Sequence, residues 1–129
     1  MKLRQTRLVT EDVSRLARFY ETVTGAGRAP GGPGYVEFLA PCDGLAIAGR
    51  GVQEAYGHGV VETAANRSAI LDFEVADVDR EYARLRNQIQ DWVLPPTNQP
   101  WGTRAILFRD PDGNLVNLFA PIRPSVAPG

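Results

Sequence analysis

Apolar residues along this chain alternate as in a β-strand and then recur at the spacing of an α-helix. This order of strand-like and helix-like spacing occurs twice. A strand-like run from Leu3 to Val9 precedes Asp12, and a second run from Ser68 to Val75 precedes Asp77. Each aspartate is a typical N-cap and is followed by apolar residues at helical spacing, up to Gly25 in the first case. The two stripes are Val13, Leu16, Ala17, Tyr20 and Val23, and then Val78, Tyr82, Leu85 and Ile89. The pattern predicts two halves, each opening with a strand and a helix.

Shorter strand-like runs follow each helix. They are Tyr35 to Ala40 and Leu45 to Ala48 in the first half, and Trp92 to Leu94, Thr103 to Phe108 and Leu115 to Phe119 in the second. Aligning Asp12 with Asp77 gives an offset of 77 − 12 = 65 residues, which pairs Gln5 with Ile70, Arg7 with Asp72 and Leu8 with Phe73. The chain therefore reads as βαβββ twice.

The final hairpin carries the most specific motif, Asp110-Pro111-Asp112-Gly113-Asn114 between two apolar runs. Proline presets φ near −65°, Asp112 can close an Asx-turn, and Gly113 tolerates positive φ. This combination predicts a tight β-hairpin that ends in the strand around Asn117.

This hairpin and the repeat resemble the vicinal oxygen chelate superfamily of glyoxalases, extradiol dioxygenases, fosfomycin-resistance transferases and bleomycin-resistance proteins. The resemblance covers roughly residues 3 to 121. It implies an α+β fold in one domain, 1–129, whose two βαβββ modules form U-shaped sheets around a cleft. It also implies that the protein is a homodimer. The modules would span about 1–50 and 68–121. The connector 50–67 has no clear period and is expected to be the most mobile segment, and whether it covers the cleft stays open. The tail 122–129 is expected to fray.

The composition of the chain limits the kinds of partner that it is expected to bind. The formal net charge of −1 offers no electrostatic basis for nucleic-acid or membrane binding, and no apolar run reaches the length of a membrane span. Cys42 is the only cysteine, so no intrachain disulfide and no cysteine metal site can form. We expect a cytoplasmic protein whose partner is a small molecule.

The resemblance also implies where a metal would bind. Family metalloenzymes place His, Gln or Glu ligands on the first and last strands of each half, and the residue at the Asn117 position is usually glutamate. Here these positions fall on Gln5, Ile70 and Asn117, and the strand 44–49 has no carboxylate or imidazole. Amides alone hold a dication poorly, so we expect no metal and no cofactor. The lone histidine, His58, lies in the connector and is expected to be solvated, unless it or a partner subunit rebuilds the site.

Strand alternation predicts which side chains line the cleft. One face would carry Gln5, Arg7, Ile70, Asp72, Glu74, Leu115, Asn117 and Phe119, while Leu8 and Phe73 would pack on the helices. Arg7 and Asp72 are repeat-related and could form an ion pair or contact a ligand. Further candidate lining residues, each with a core alternative, are Tyr35, Phe38 and Tyr56, and Glu37 could face the cleft or solvent.

The loop from Pro95 to Arg104 is the second notable feature. Its Pro100-Trp101-Gly102 segment, followed closely by Arg104, resembles bleomycin-resistance proteins. Trp101 could stack on a planar ligand or fill an interface, and Arg104 could make a cation–π contact or hold an anionic group.

These observations favour a metal-free small-molecule binding protein that sequesters an aromatic antibiotic or secondary metabolite. The ligand-binding residues would be Gln5, Arg7, Asp72, Glu74, Trp101, Arg104, Asn117 and Phe119. One alternative is a lyase, isomerase or dioxygenase-like enzyme that either uses Asp72 or Glu74 as a base or holds a metal in an atypical site. Another is a structural or regulatory protein whose own side chains fill the cleft.

Overall fold

The structure, a computed structural model, describes residues 1–122; the predicted frayed tail lies outside them except for Ile122. The strands are β1 (Thr6–Thr10), β2 (Tyr35–Glu37), β3 (Leu45–Gly49), β4 (Ile70–Glu74), β5 (Trp92–Asn98), β6 (Thr103–Arg109) and β7 (Leu115–Pro121). The helices are α1 (Val13–Thr24), α2 (Arg50–Gln53) and α3 (Val78–Leu85), with a 3₁₀ helix at Glu54–Tyr56. The predicted α+β class is confirmed.

The described chain divides into two compact units. The first contains residues 1–66 together with 111–113, and the second contains 67–110 and the chain from 114 onward. In the first unit β3 is central, parallel to β1 and antiparallel to β2. In the second unit the strand order is β4-β7-β6-β5, with β4 parallel to β7 and the other neighbours antiparallel.

Helix α1 begins and ends where the sequence predicts. The Asp12 side chain accepts a hydrogen bond from the backbone N–H of Arg15, and Gly25 closes the helix at φ 70° with its N–H donated to the carbonyl of Glu21. The apolar stripe Leu16, Ala17, Tyr20 and Val23 is buried. A side chain at Gly49 would meet Val13 of α1 at 3.3 Å, so α1 covers the face of the first sheet that carries Gly49 and Ile47.

Helix α3 covers one face of the second sheet. Asp77 caps it by accepting from the backbone N–H of Arg80, as predicted. The helix ends at Leu85, so Ile89 lies beyond it, although Ile89 is still buried. The aromatic ring of Trp92 packs edge-on against Tyr82 of α3 and against Phe108. The core on this face contains Leu85, Ile106, Phe108, Val116 and Leu118.

The predicted final hairpin forms, and its turn is held by Asp110 and Asn114. The Asp110 carboxylate accepts from the backbone N–H of Asn114 at 2.9 Å and from its side-chain amide at 2.7 Å. Gly113 adopts φ 87°, as the turn requires. Both polar side chains are buried, and their mutual bonds offset the cost of removing them from water.

Three segments differ from the prediction. The first sheet has three strands in residues 1–122, one fewer than the βαβββ pattern predicts, and an isolated bridge joins Arg28 to Phe38. Strand β5 continues through Pro95 and Pro96 to Asn98 with register irregularities, so the predicted loop shortens to residues 99–102. The connector, predicted to be irregular, opens with α2 and the 3₁₀ helix.

Among residues 1–122, no helix is long and apolar enough to cross a membrane.

Candidate functional site

The face of the first sheet opposite α1 carries two alanines, Ala46 and Ala48, between polar side chains, and both alanines are fully buried. The strand register aligns Arg7 of β1 with Ala46 of β3, and Ala46 with Glu37 of β2. In the same way Ala48 lies beside Tyr35. Because residues directly opposed on neighbouring strands share a face, these side chains occupy one surface, and this resolves the open position of Glu37.

Gln5 reaches this surface from just before β1. Its side-chain amide donates a hydrogen bond of 3.0 Å to the hydroxyl of Tyr35, and that hydroxyl donates to the Glu37 carboxylate at 2.8 Å. The three side chains therefore form a chain of donors and acceptors that orients the Tyr35 ring.

Arg7 is held from the connector. Its guanidinium donates a 2.9 Å hydrogen bond to the hydroxyl of Tyr56 and lies 5.4 Å from the centre of that ring. This hydrogen bond raises the pKa of Arg7 above its usual value, because the phenol oxygen favours the charged form. The Tyr56 side chain is nevertheless 61% exposed. The contact places part of the connector on the face of the first sheet opposite α1. This face, and the face of the second sheet opposite α3, are called the helix-free faces.

A second contact fastens the connector. The carboxylate of Glu11, in the β1–α1 loop, accepts hydrogen bonds of 3.1 Å from both Arg50 and Thr63. These two residues lie near the two ends of the connector, so a single exposed carboxylate holds both ends. The prediction that the connector is mobile stays a prediction.

The corresponding face of the second sheet carries the other predicted residues. Asp72 of β4 is aligned with Asn117 of β7, and Glu74 with Phe119. The Asn117 amide donates a 2.9 Å hydrogen bond to the Asp72 carboxylate. The amide oxygen of Asn117 is buried and has no hydrogen-bond partner among the described residues. This oxygen is therefore an acceptor that a bound donor could satisfy.

Arg104 lies on the other side of this sheet. Its neighbour Ala105 is aligned with Phe119, so alternation turns Arg104 towards α3. There it donates hydrogen bonds of 2.8 and 2.9 Å to Asp79 and one of 3.0 Å to Asn98. The ion pair lowers the pKa of Asp79 and raises the pKa of Arg104. The structure does not bring Arg104 to the surface that holds Asp72, Glu74, Asn117 and Phe119.

Trp101 occupies the turn between β5 and β6, beside Gly102 at φ 97°. The indole is 75% exposed. The ring therefore presents a flat apolar surface to solvent and does not pack in the interior of the fold.

The structure shows where the residues at the family's ligand positions lie. Gln5 precedes β1 and donates its side-chain amide to the Tyr35 hydroxyl, Ile70 lies beside Leu115 at the start of β4, and Asn117 lies on β7 beside Asp72. Their assignment as the family's ligand positions stays a prediction.

The side chains at these positions are poor metal ligands. Ile70 has no donor atom, and the amides of Gln5 and Asn117 already bond to Tyr35 and Asp72. Within residues 1–122, no group of three or more His, Cys, Asp and Glu side chains could hold a metal ion. His58 is exposed in the connector.

The sequence patterns failed to identify two features of this surface. Ala46 and Ala48 went unnoticed because alanine alternating in a short strand gives a weak signal. Tyr56 was only one of several candidate aromatic residues, since its contact with Arg7 depends on a tertiary fold across 49 residues.

The chain is similar to known proteins in both sequence and fold. The family model of the Glyoxalase/Bleomycin resistance protein/Dioxygenase superfamily matches residues 2–118. The Bacillus subtilis (strain 168) protein YraH is 27% identical over 92% of this chain and 98% of its own length. A solved glyoxalase/bleomycin resistance protein/dioxygenase from Nocardioides is 28% identical, with a TM-score of 0.77 over 100% of this chain and 88% of that one. A family enzyme from Burkholderia phytofirmans PsJN shares the fold, with a TM-score of 0.83 at 14% identity over 94% and 99% of the two chains.

Proposed function

Since this chain belongs to the Glyoxalase/Bleomycin resistance protein/Dioxygenase superfamily, we propose that it binds a small aromatic molecule, an antibiotic or a secondary metabolite, without a metal ion. The supporting observation is the type of side chain at the positions of the family's metal ligands, Gln5, Ile70 and Asn117, none of which is a carboxylate or an imidazole. Amide and apolar side chains can contact an organic ligand but are poor ligands for a transition metal.

The rest of each helix-free face supports an organic ligand. The first unit offers the rings of Tyr35 and Tyr56, and the second offers Phe119 beside Glu74. Apolar walls with a few placed polar groups are typical of small-molecule sites. Trp101 is an exposed ring that could stack on a planar compound.

A metal-independent enzyme is the second candidate, and the Asn117–Asp72 bond favours it. An amide that fixes one oxygen of a carboxylate leaves the other oxygen oriented as a potential proton acceptor. In this reading Asp72 is the base, and the protein would convert the compound that it binds.

The test is calorimetric titration of the full chain with bleomycin and with 2-naphthoate, 2-naphthamide and 2-naphthylmethylamine. Parallel thermal-shift measurements add Ni²⁺, Zn²⁺, Mn²⁺, Fe²⁺ and Co²⁺, each with and without EDTA. We expect saturable binding of an organic probe that EDTA does not change. A ligand at 100 times its Kd adds about 2.7 kcal/mol, which moves the midpoint by several degrees.

Substitutions test whether Trp101 belongs to the ligand-binding site. Trp101→Ala should weaken binding about 2- to 12-fold. This range corresponds to the loss of one aromatic pair, which contributes about 0.5–1.5 kcal/mol. Val93→Ala removes an exposed apolar side chain from the far end of β5 and should leave binding unchanged. A thermal shift with a metal that EDTA reverses would refute metal-free binding. Chromatographic conversion of a bound probe, lost in Asp72→Asn, would replace the binder with the enzyme.

A further inference from the structure

We propose that the ligand carries a protonated amine or a similar organic cation, and that Glu74 is the residue that recognises it. This inference rests on the proposed function and names the chemical class of its ligand. It is carried by a cavity at the ends of β4 and β7 in the second unit, where the Glu74 carboxylate bonds to none of the described residues.

The cavity has apolar walls and one charged side chain. Its volume is about 390 Å³, and it is lined by Glu74, Val75, Ala76, Ala120 and Pro121. Small-molecule sites have volumes of roughly 300–1,000 Å³ and combine apolar walls with a few polar groups. The cavity is therefore large enough for a compact ring system, and the ionisable group that lines it is a carboxylate.

The charged side chains next to this cavity already have partners, whereas Glu74 does not. An adjoining cavity of about 360 Å³ shares three of the apolar lining residues and is also lined by Asp77, Asp79 and Arg104. Arg104 is paired with Asp79, and Asp77 accepts a hydrogen bond from the first turn of α3. Among residues 1–122, no hydrogen bond or ion pair reaches the Glu74 carboxylate. A cation from outside can therefore bind to Glu74 without displacing an existing contact.

The neighbours of Glu74 also favour a cation. Asp72 lies two residues earlier on the same strand and face, so the two backbones are about 7 Å apart. Phe119 lies beside Glu74 across the strands, and aromatic faces attract cations. Arg109 shares this face but lies beside Leu115, at the other end of the strands. An ammonium group at Glu74 is thus attracted by two carboxylates and a ring, whereas an anion there is repelled.

A metal ion is the other cation that two carboxylates could attract. Within residues 1–122, no group of three or more His, Cys, Asp and Glu side chains could hold one. Two carboxylates alone supply fewer oxygens than the roughly six to eight that Ca²⁺ takes. An organic cation needs no such ligand shell, and its apolar part can contact the walls of the cavity. The geometry therefore favours an amine over a metal ion.

The experiment is calorimetric titration with three probes that share one ring system and differ in charge: 2-naphthylmethylamine, 2-naphthamide and 2-naphthoate. At pH 7 the wild type should bind the amine about 2- to 30-fold more tightly than the amide, the range for one or two exposed ion pairs. This preference should shrink at about 1 M salt, which screens charges separated by more than about 3 Å. 2-Naphthoate should bind most weakly, because the carboxylates of the site repel it.

Substitutions of Glu74 test its role directly. Glu74→Gln keeps the size of the side chain and removes its charge, so the preference for the amine should fall about 2- to 5-fold, while the amide stays within about twofold. Glu74→Lys should reverse the order, with 2-naphthoate bound more tightly than 2-naphthylmethylamine. Because Glu74 is exposed, thermal melts should show that both variants remain folded.

Asp91→Asn is the matched control, since it removes one negative charge from an exposed position in the same unit. Its backbone carbonyl accepts a hydrogen bond from Arg109, at the end of the sheet away from Glu74. The preference for the amine should be unchanged in this variant.

Tighter binding of 2-naphthamide or 2-naphthoate than of 2-naphthylmethylamine would overturn the inference and leave the proposed function standing. A preference for the amine that survives Glu74→Gln, or that falls equally in Asp91→Asn, would overturn it as well. If none of the three probes binds, the inference fails, and the proposed function is then decided by bleomycin and the metal arm of its own experiment.

Discussion

Asn117 donates a 2.9 Å hydrogen bond to Asp72, its neighbour across the parallel strands β7 and β4. The family resemblance implies that metalloenzymes usually carry a glutamate at the position of Asn117. Here the amide hydrogen of Asn117 meets the Asp72 carboxylate, so the chain's own side chain stabilises that carboxylate.

Asn117→Asp should reveal this relationship. Two carboxylates directly opposed on neighbouring strands repel, so the variant should be about 0.5–1 kcal/mol less stable at pH 7 than the control Asn117→Ala, which loses the hydrogen bond without adding charge. Urea unfolding at pH 7 measures the difference. Equal stability of the two variants at pH 7 would contradict the account.

The final hairpin depends on Asp110. Asp110→Ala removes the acceptor for the backbone N–H and side-chain amide of Asn114 in a buried turn, so the free energy of unfolding should fall by about 1–3 kcal/mol. Pro111→Ala is the control in the same turn and should cost less than about 1 kcal/mol, since it acts mainly through the unfolded chain. Urea midpoints at constant m-value report both. A smaller loss for Asp110→Ala than for Pro111→Ala would show that the turn is held by other contacts.

The Asp79–Arg104 pair predicts a pH dependence. The pKa of Asp79 is lowered in the folded protein, whereas an unfolded aspartate titrates at about 3.9. The unfolded chain therefore takes up the proton first as the pH falls. The stability from this pair is complete above the unfolded pKa and is lost as the pH falls through the lower, folded pKa.

Thermal melts of wild type and Asp79→Asn measure that effect. The difference in midpoint should be constant above about pH 5 and shrink below about pH 4. Asp91→Asn replaces another exposed carboxylate and should not show this change. A wild-type advantage over Asp79→Asn that persists unchanged at the lowest pH would rule out the pair as its source.

Glu11 should control the connector more than the global fold. Glu11→Ala removes the acceptor for Arg50 and Thr63, and exposed ion pairs contribute at most about 1 kcal/mol, so the midpoint should barely change. Amide hydrogen exchange in 50–63 should nevertheless accelerate, because local opening needs less free energy. Glu21→Ala breaks the exposed pair with Arg28 and serves as the control, with exchange in 50–63 unaltered. Unchanged exchange in Glu11→Ala would show that Glu11 does not fasten the connector.

Local signals were sufficient for several elements. Asp12 and Asp77 cap helices because a short side-chain oxygen reaches the free N–H groups of the first turn wherever the chain can turn helical. Gly113 and Asp110 form the hairpin for equally local reasons. The family resemblance built on that hairpin is confirmed by the match over residues 2–118.

Segments without a strong local period were predicted less well. Pro95 and Pro96 indicated a loop, yet β5 runs through them because an edge strand tolerates missing N–H donors and irregular register. Helix α2 and the 3₁₀ helix are too short to give a periodic signal. Arg104 was assigned to a ligand because the sequence shows its charge but not the face of the sheet on which it lies.

The sequence alone determined the two halves, their capped helices and the final hairpin, because each depends on residues close together in the chain. Only the tertiary structure decided which side chains share a surface. Strand register placed Asp72 beside Asn117 and Arg7 beside Ala46, and folding brought Tyr56 to Arg7. A shift of one residue in register would reverse every face, and local preferences do not encode that choice.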